Sequence, residues 1–192
     1  MTKVLVVYAS RHGGTRGIAE RIAATLTEAG VTAQATSADL AHDVAVADAY
    51  VIGSGVYMGS WLKEGTEFIS RHAETLATRP VWLFSSGPLA GSTAKTEGLS
   101  AEEAALGPLE GPGSGGRKKV AELSELIHAR ENRVFFGAFN PADPPKALSE
   151  RLVRLMPASK GILPAGDFRE WPLIEEWARD IANLLSAAPS AR

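Results

Sequence analysis

Lys3-Val4-Leu5-Val6-Val7-Tyr8 is an unbroken apolar, β-branched run that stops abruptly at a turn of small and hydroxyl residues. A strand with one wet face alternates polar and apolar side chains, whereas a strand covered on both faces in a parallel sheet is apolar throughout. The run therefore predicts a buried first strand. After Ser10-Arg11-His12-Gly13-Gly14-Thr15 the period changes, with Ile18, Ile22 and Leu26 sharing one helical face and Gly30 placed to cap the helix C-terminus.

This strand, loop, helix rhythm repeats. Val31 to Thr36 is a weaker second strand, and Tyr50-Val51-Ile52, ending at Gly53, is a third, after a short Ala-rich helical turn. A helix from about Trp61 to Leu76 follows. Pro80 introduces the fourth strand, Val81 to Ser85, and Asn132 precedes the fifth, Arg133 to Phe139. The last helix opens at Pro172 and aligns Leu173, Trp177, Ile181 and Leu184. Buried strands alternating with helices imply right-handed crossovers, hence a doubly wound, five-stranded parallel α/β sheet of order 2-1-3-4-5 with helices on both faces. A chain of 192 residues with 45% hydrophobic content suits one domain spanning residues 1–192. Two segments interrupt the rhythm, Gly91 to Gly116 and Asn140 to Gly166, and both are longer than ordinary connections.

Bulk composition removes several function classes. Twenty basic against 22 acidic residues leave a net charge of −2, so no positive field favours nucleic acid. The absence of cysteine excludes disulfides, thiolate nucleophiles, cysteine-bound zinc and protein-ligated iron–sulfur clusters, so redox chemistry needs a bound cofactor. His12, His42, His72 and His128 fall on separate elements without a ligand spacing, and no metal site is expected. The first strand begins too early for a signal sequence and no stretch is long enough to span a bilayer, so a cytoplasmic location is expected.

In an open parallel sheet, ligands bind beyond the C-terminal strand ends, where strand order reverses, between the first and third strands. Three loops lie there. In the first, Ser10, Arg11, His12, Gly13, Gly14 and Thr15 combine close backbone approach, hydroxyl donors and a helix N-terminus, the chemistry of a phosphate seat. A tight turn merely capped by Thr15 is the plainer alternative. The second, from Ser54, Gly55, Val56 and Tyr57 to Ser60, offers glycyl peptides and an aromatic to shield a flavin ring, while Trp61 either shields it too or packs its own helix. The third, Ser86, Gly87, Pro88, Leu89 and Gly91, offers backbone groups to a ring edge.

Competing motifs are absent or misplaced. There is no G-x-x-x-x-G-K-[ST] and no G-x-S-x-G, and the G-x-G-x-x-G at Gly111 to Gly116 follows no strand. A phosphoreceiver needs acids where Ala9-Ser10 and Gly53-Ser54 stand.

Tyr8-Ala9-Ser10-Arg11-His12-Gly13-Gly14-Thr15, Ile52-Gly53-Ser54-Gly55 and Asp167-Phe168-Arg169-Glu170-Trp171 resemble the flavodoxin superfamily, in particular flavodoxin-domain proteins related to menaquinone-dependent protoporphyrinogen oxidase. The resemblance implies a flavodoxin-like fold and FMN, with its phosphate on Ser10, the loop amides and Thr15. The chain departs from that oxidase at Asn140 to Pro145 and at Ser86 to Leu89, so the resemblance implies the cofactor more firmly than a protoporphyrinogen-oxidase-like activity on a porphyrin. The expected function is an FMN oxidoreductase passing reducing equivalents between a small organic substrate and a quinone-like acceptor. Tyr57, His12 and Arg11 are its nearest polar groups, and no catalytic proton donor is assignable. The alternative is a flavodoxin carrier docking on a redox partner protein, and a third reading is an interaction domain with a vestigial flavin site. Within Lys146 to Lys160, Leu148, Leu152, Leu155 and Met156 share a face beside four cations and the single acid Glu150. That pattern predicts a helix packed on the domain, with at most weak, salt-sensitive membrane association.

Overall fold

The computed structural model describes residues 1–57, 59–87, 115–139 and 166–187. β1 (Lys3–Ala9) leads into α1 (Gly14–Glu28), then β2 (Thr32–Ser37) and β3 (Ala49–Tyr57). β4 (Ser60–Trp61), α2 (Lys63–Arg71), α3 (Ala73–Ala77) and β5 (Val81–Ser86) follow. Beyond them come α4 (Gly115–Leu126), β6 (Glu131–Phe135), β7 (Ala138–Phe139), β8 (Gly166–Asp167) and α5 (Trp171–Ala187). The main sheet runs β2-β1-β3-β5-β6, all parallel, which is the doubly wound order expected from the five apolar runs. Order reverses at β1, which pairs with β2 on one side and β3 on the other.

The faces are filled by different helices. Val4, Val6, Val51, Trp82 and Phe84 meet Ile18, Ile22 and Leu26 of α1 and Ile174, Trp177 and Ile181 of α5. Val7, Ile52 and Leu83 meet Phe68, Ile69 and Leu76, with Val120 and Leu123 of α4. Each such side chain contributes about 1.5–3 kcal/mol on burial, so the two layers supply most of the driving force. The C-terminal end of α1 follows from its sequence: Gly30 N–H donates to the Thr27 carbonyl and Val31 N–H to the Leu26 carbonyl, the paired closure that glycine permits at a helix end.

Several boundaries differ from the sequence expectation. β3 does not end at Gly53 but runs on to Tyr57 and turns back into β4; Gly53 is a strand residue whose missing side chain leaves room for the Phe84 ring of β5. The helix expected from Trp61 to Leu76 is two helices broken at His72, and residues 38–48 are turns rather than a helical turn. Tyr50 is buried there and its hydroxyl donates to the Val44 carbonyl.

The fifth strand stops at Phe135. Its carbonyl accepts from Gly87 N–H, and Ala138–Phe139 then pairs antiparallel with Gly166–Asp167 instead of continuing the sheet. On α5 the buried stripe is Ile174, Trp177, Ala178, Ile181 and Leu185, whereas Leu173 and Leu184 are 45% and 51% exposed. Of the expected stripe, Trp177 and Ile181 are buried, and at its two ends Ile174 and Leu185 take the places expected of Leu173 and Leu184. Lys146 to Lys160, most of the Gly91 to Gly116 segment, and Pro88, Leu89 and Gly91 lie outside the described residues; Gly115 and Gly116 open α4. Among the described residues, no helix is long and apolar enough to cross a membrane.

Candidate functional site

The C-terminal strand ends gather three of the loops named from sequence. Ala9 pairs with Ser54, and Gly55 with Ser86, so the exits of β1, β3 and β5 stand side by side at the reversal of strand order.

α1 begins there without a conventional cap. Gly13, the N-cap, is left-handed at φ 82°, makes no side-chain cap bond, and the first turn carries no acid. The first amides of a helix have no intrahelical acceptor, and the aligned peptide dipoles add positive potential at that end. Gly13 N–H donates to Ser10 Oγ at 3.1 Å, and Gly17 N–H to the Gly13 carbonyl at 2.9 Å. Ser10 therefore shapes the turn, and a hydroxyl that accepts one bond still has its proton to donate. Thr15, 4% exposed, is buried at the base. A side chain at Gly55 would come within 3.0 Å of Thr15 Oγ1 and of the Tyr57 ring, so glycine keeps this approach clear.

Arg11, His12 and Tyr57 meet above this base. The Arg11 guanidinium lies 4.8 Å from the Tyr57 ring centroid, and the His12 and Tyr57 rings are 6.4 Å apart, all three half-buried. The first two loops are thus one cluster. Other residues named from sequence support it from beneath. Ser54 is fully buried, donating to the Gly55 carbonyl and accepting from Leu62 N–H, each at 3.0 Å, which locks the β3–β4 hairpin. Val56 pairs with Trp61 across that hairpin. Trp61 packs in the core and its Nε1 donates to Ser85 Oγ at 2.8 Å, so packing, not ring shielding, is its role. Ser86 and Gly87 sit against the Phe135–Gly137 exit of β6.

Arg169 was not among the expected site residues, yet it reaches the same helix end. Its Nη1 lies 3.4 Å from the Gly14 carbonyl across 155 residues of sequence, and its guanidinium stacks 4.4 Å from the Trp171 ring centroid. Its hydrogen bonds hold the Asp167 carboxyl below the ordinary 3.8, although partial burial opposes them. The alternation Asp167, Arg169, Trp171 in an extended segment was the available signal, since period two puts all three on one side.

An acid-free, uncapped helix start with a buried hydroxyl beside it fits a phosphate monoester and needs no cation to do so. The flavodoxin domain family model matches residues 5–138, more than half of the chain, and the chain belongs to that family, a class of electron-transfer flavoproteins. No curated protein matches it. Among solved structures it is similar to a flavodoxin from the domain Archaea, with 18% identity and TM-score 0.56 over 96% of this chain and 99% of that one. A mutant flavodoxin from Pseudomonas aeruginosa gives 17% identity and TM-score 0.55 over 97% and 100%. Rubredoxin oxygen:oxidoreductase from Desulfovibrio gigas gives 15% identity and TM-score 0.56 over 96% of this chain, which spans only 36% of that protein's length. At such identities the likeness concerns the fold.

Proposed function

We propose that the chain binds FMN and acts as an oxidoreductase, passing reducing equivalents from a small organic substrate to a quinone-like acceptor. The observation that carries the cofactor is the uncapped, acid-free first turn of α1 beside buried Thr15. Ser10, the loop amides other than that of Gly13, and the Thr15 hydroxyl would hold the phosphate. Gly55 to Tyr57 and Ser86 to Gly87, with Pro88, Leu89 and Gly91, would flank the ring. FMN, when bound, supplies the reversible uptake of electrons that no side chain of this cysteine-free chain offers. The protein's part is to orient that ring, exclude water through the half-buried Tyr57, and present Arg11 and His12 to a polar substrate or a quinone oxygen.

Support for an enzyme over a carrier comes from charge. With 22 acids against 20 bases there is little field to steer a protein partner. The resemblance of Tyr8 to Thr15 and of Asp167 to Trp171 to protoporphyrinogen-oxidase-related proteins points the same way, with the whole chain as one cytoplasmic FMN domain. A carrier docking on a redox partner protein is the second reading, favoured because the chain covers 99% and 100% of two flavodoxins. The discriminating experiment is anaerobic stopped flow on the chemically reduced, FMN-loaded protein. Saturable reoxidation by a water-soluble naphthoquinone supports the enzyme. Reoxidation strictly linear in quinone, with fast transfer to a redox protein, supports the carrier instead.

A further inference from the structure

Gly14, the first residue of α1, is approached from the far end of the chain by two elements. A side chain there would touch the Ala138 backbone of β7 at 3.4 Å, and its carbonyl faces Arg169. Arg169 is heavily anchored for this contact. Its Nε donates to Asp167 Oδ1 at 2.7 Å, its Nη2 to Asp167 Oδ2 at 2.5 Å, and its backbone N–H to Asp167 Oδ1 at 3.1 Å. Trp171 covers the guanidinium plane and Arg21 of α1 stacks on the same ring at 5.2 Å, leaving the Arg169 side chain 17% exposed. A planar fork held on both edges and one face is fixed in direction, which a lysine ammonium would not be.

That direction matters because the Gly14 carbonyl belongs to the same peptide unit as the Thr15 N–H. A donor on the carbonyl polarises the unit and strengthens the N–H as a donor on its other side. Gly17 makes the approach feasible, since a Cβ at that position would run into Arg169 Nη1. We propose that Arg169 is a positioning residue for the phosphate seat, orienting and polarising the Gly14–Thr15 peptide through the Gly14 carbonyl. The inference rests on the reading that the seat holds the FMN phosphate, and it extends beyond residues 5–138, where the family match ends.

The 3.4 Å contact is long for a hydrogen bond, so the expected effect is modest. The test titrates FMN and riboflavin into wild type, Arg169→Gln, Arg169→Lys and Gly17→Ala, with thermal unfolding alongside. Arg169→Gln should weaken FMN about fivefold, as for the net worth of one neutral hydrogen bond, and leave riboflavin within about twofold. Arg169→Lys should recover only part of the loss, because it keeps the charge but not the fork. Gly17→Ala is the second route, since it displaces the guanidinium without altering any charge while favouring the helix by about 1 kcal/mol. It should therefore weaken FMN selectively over riboflavin, while in Tm the helix gain and the cost of displacing an anchored guanidinium oppose one another. Equal losses for both ligands, full rescue by lysine, or unchanged FMN binding in Gly17→Ala would each overturn the role of Arg169. Wild type with no preference for FMN over riboflavin would instead overturn the phosphate reading beneath it.

Discussion

Two helices start at the same edge of the sheet, and their first turns are built for opposite purposes. At α2 the N-cap Leu62 is extended, its amide is taken by the buried Ser54 hydroxyl, and Glu64 brings a negative charge into the first turn. The positive end of that helix is answered from within the fold. At α1 the cap amide is likewise taken by a serine hydroxyl, that of Ser10, but the cap is a left-handed glycine and no acid enters the first turn to meet the dipole. Both helices carry the same dipole, so the difference teaches that an anion from outside is expected at α1 alone.

The largest expected break in this contrast is Thr15→Val, which keeps volume and removes the hydroxyl. FMN should weaken by about 1.5–3 kcal/mol, the range for a hydrogen bond to a charged group, with riboflavin changed far less. Isothermal titration of both ligands checks it, and equal losses would mean that Thr15 supports the loop alone.

Next is Gly13→Ala. No atom stands within 4 Å of the added Cβ, so the left-handed φ is the only penalty, about 1–2 kcal/mol of folding stability by denaturant titration. An unaffected midpoint would show that the cap relaxes readily. A smaller effect is expected from Glu64→Gln, which should cost about 0.3–1 kcal/mol of stability at low salt and leave FMN affinity unchanged. Loss of FMN affinity in that variant would erase the distinction between the two helix starts.

How much of this contrast was legible in sequence depends on the range of the interactions. Val4 to Val7, Val51-Ile52 and Val81 to Phe84 announced buried strands because burial on both faces leaves a continuous apolar run. The left-handed turn and acid-free helix start at Ser10 to Thr15 were legible because small residues before an amphipathic helix are a local pattern. The extension of β3 past Gly53 was not, because it depends on pairing with β1 and β5, which lie far off in sequence. Arg169 was marked only by its alternation with Asp167 and Trp171; its meeting with Gly14 is made by the fold rather than by spacing. The break at His72 has neither Gly nor Pro to signal it, and the structure offers no cause beyond the packing of its ring on Phe68, 4.8 Å away.

His72 gives the smallest expected effect. Burial, then Arg71 and His42, hold its imidazole below the ordinary 6.5, and its Nε2 is buried without a hydrogen-bond partner among the described residues. The unfolded chain therefore binds this proton more readily than the folded one, so stability is unaffected above about pH 6.5 and declines as pH falls below it. Comparing wild type with His72→Gln by denaturant titration between about pH 7 and pH 5 should show a shallower decline in the variant. Parallel curves would remove His72 from the account.

The central claim, that the start of α1 is a seat for the terminal phosphate of a flavin mononucleotide, is tested most directly by titrating the wild-type protein with FMN, riboflavin and FAD under one buffer. Even two of these charge-assisted hydrogen bonds, at about 1.5 kcal/mol each, predict FMN at least about a hundredfold tighter than riboflavin, and tighter than FAD. Equal affinity for FMN and riboflavin, or FAD bound tighter than FMN, would contradict it.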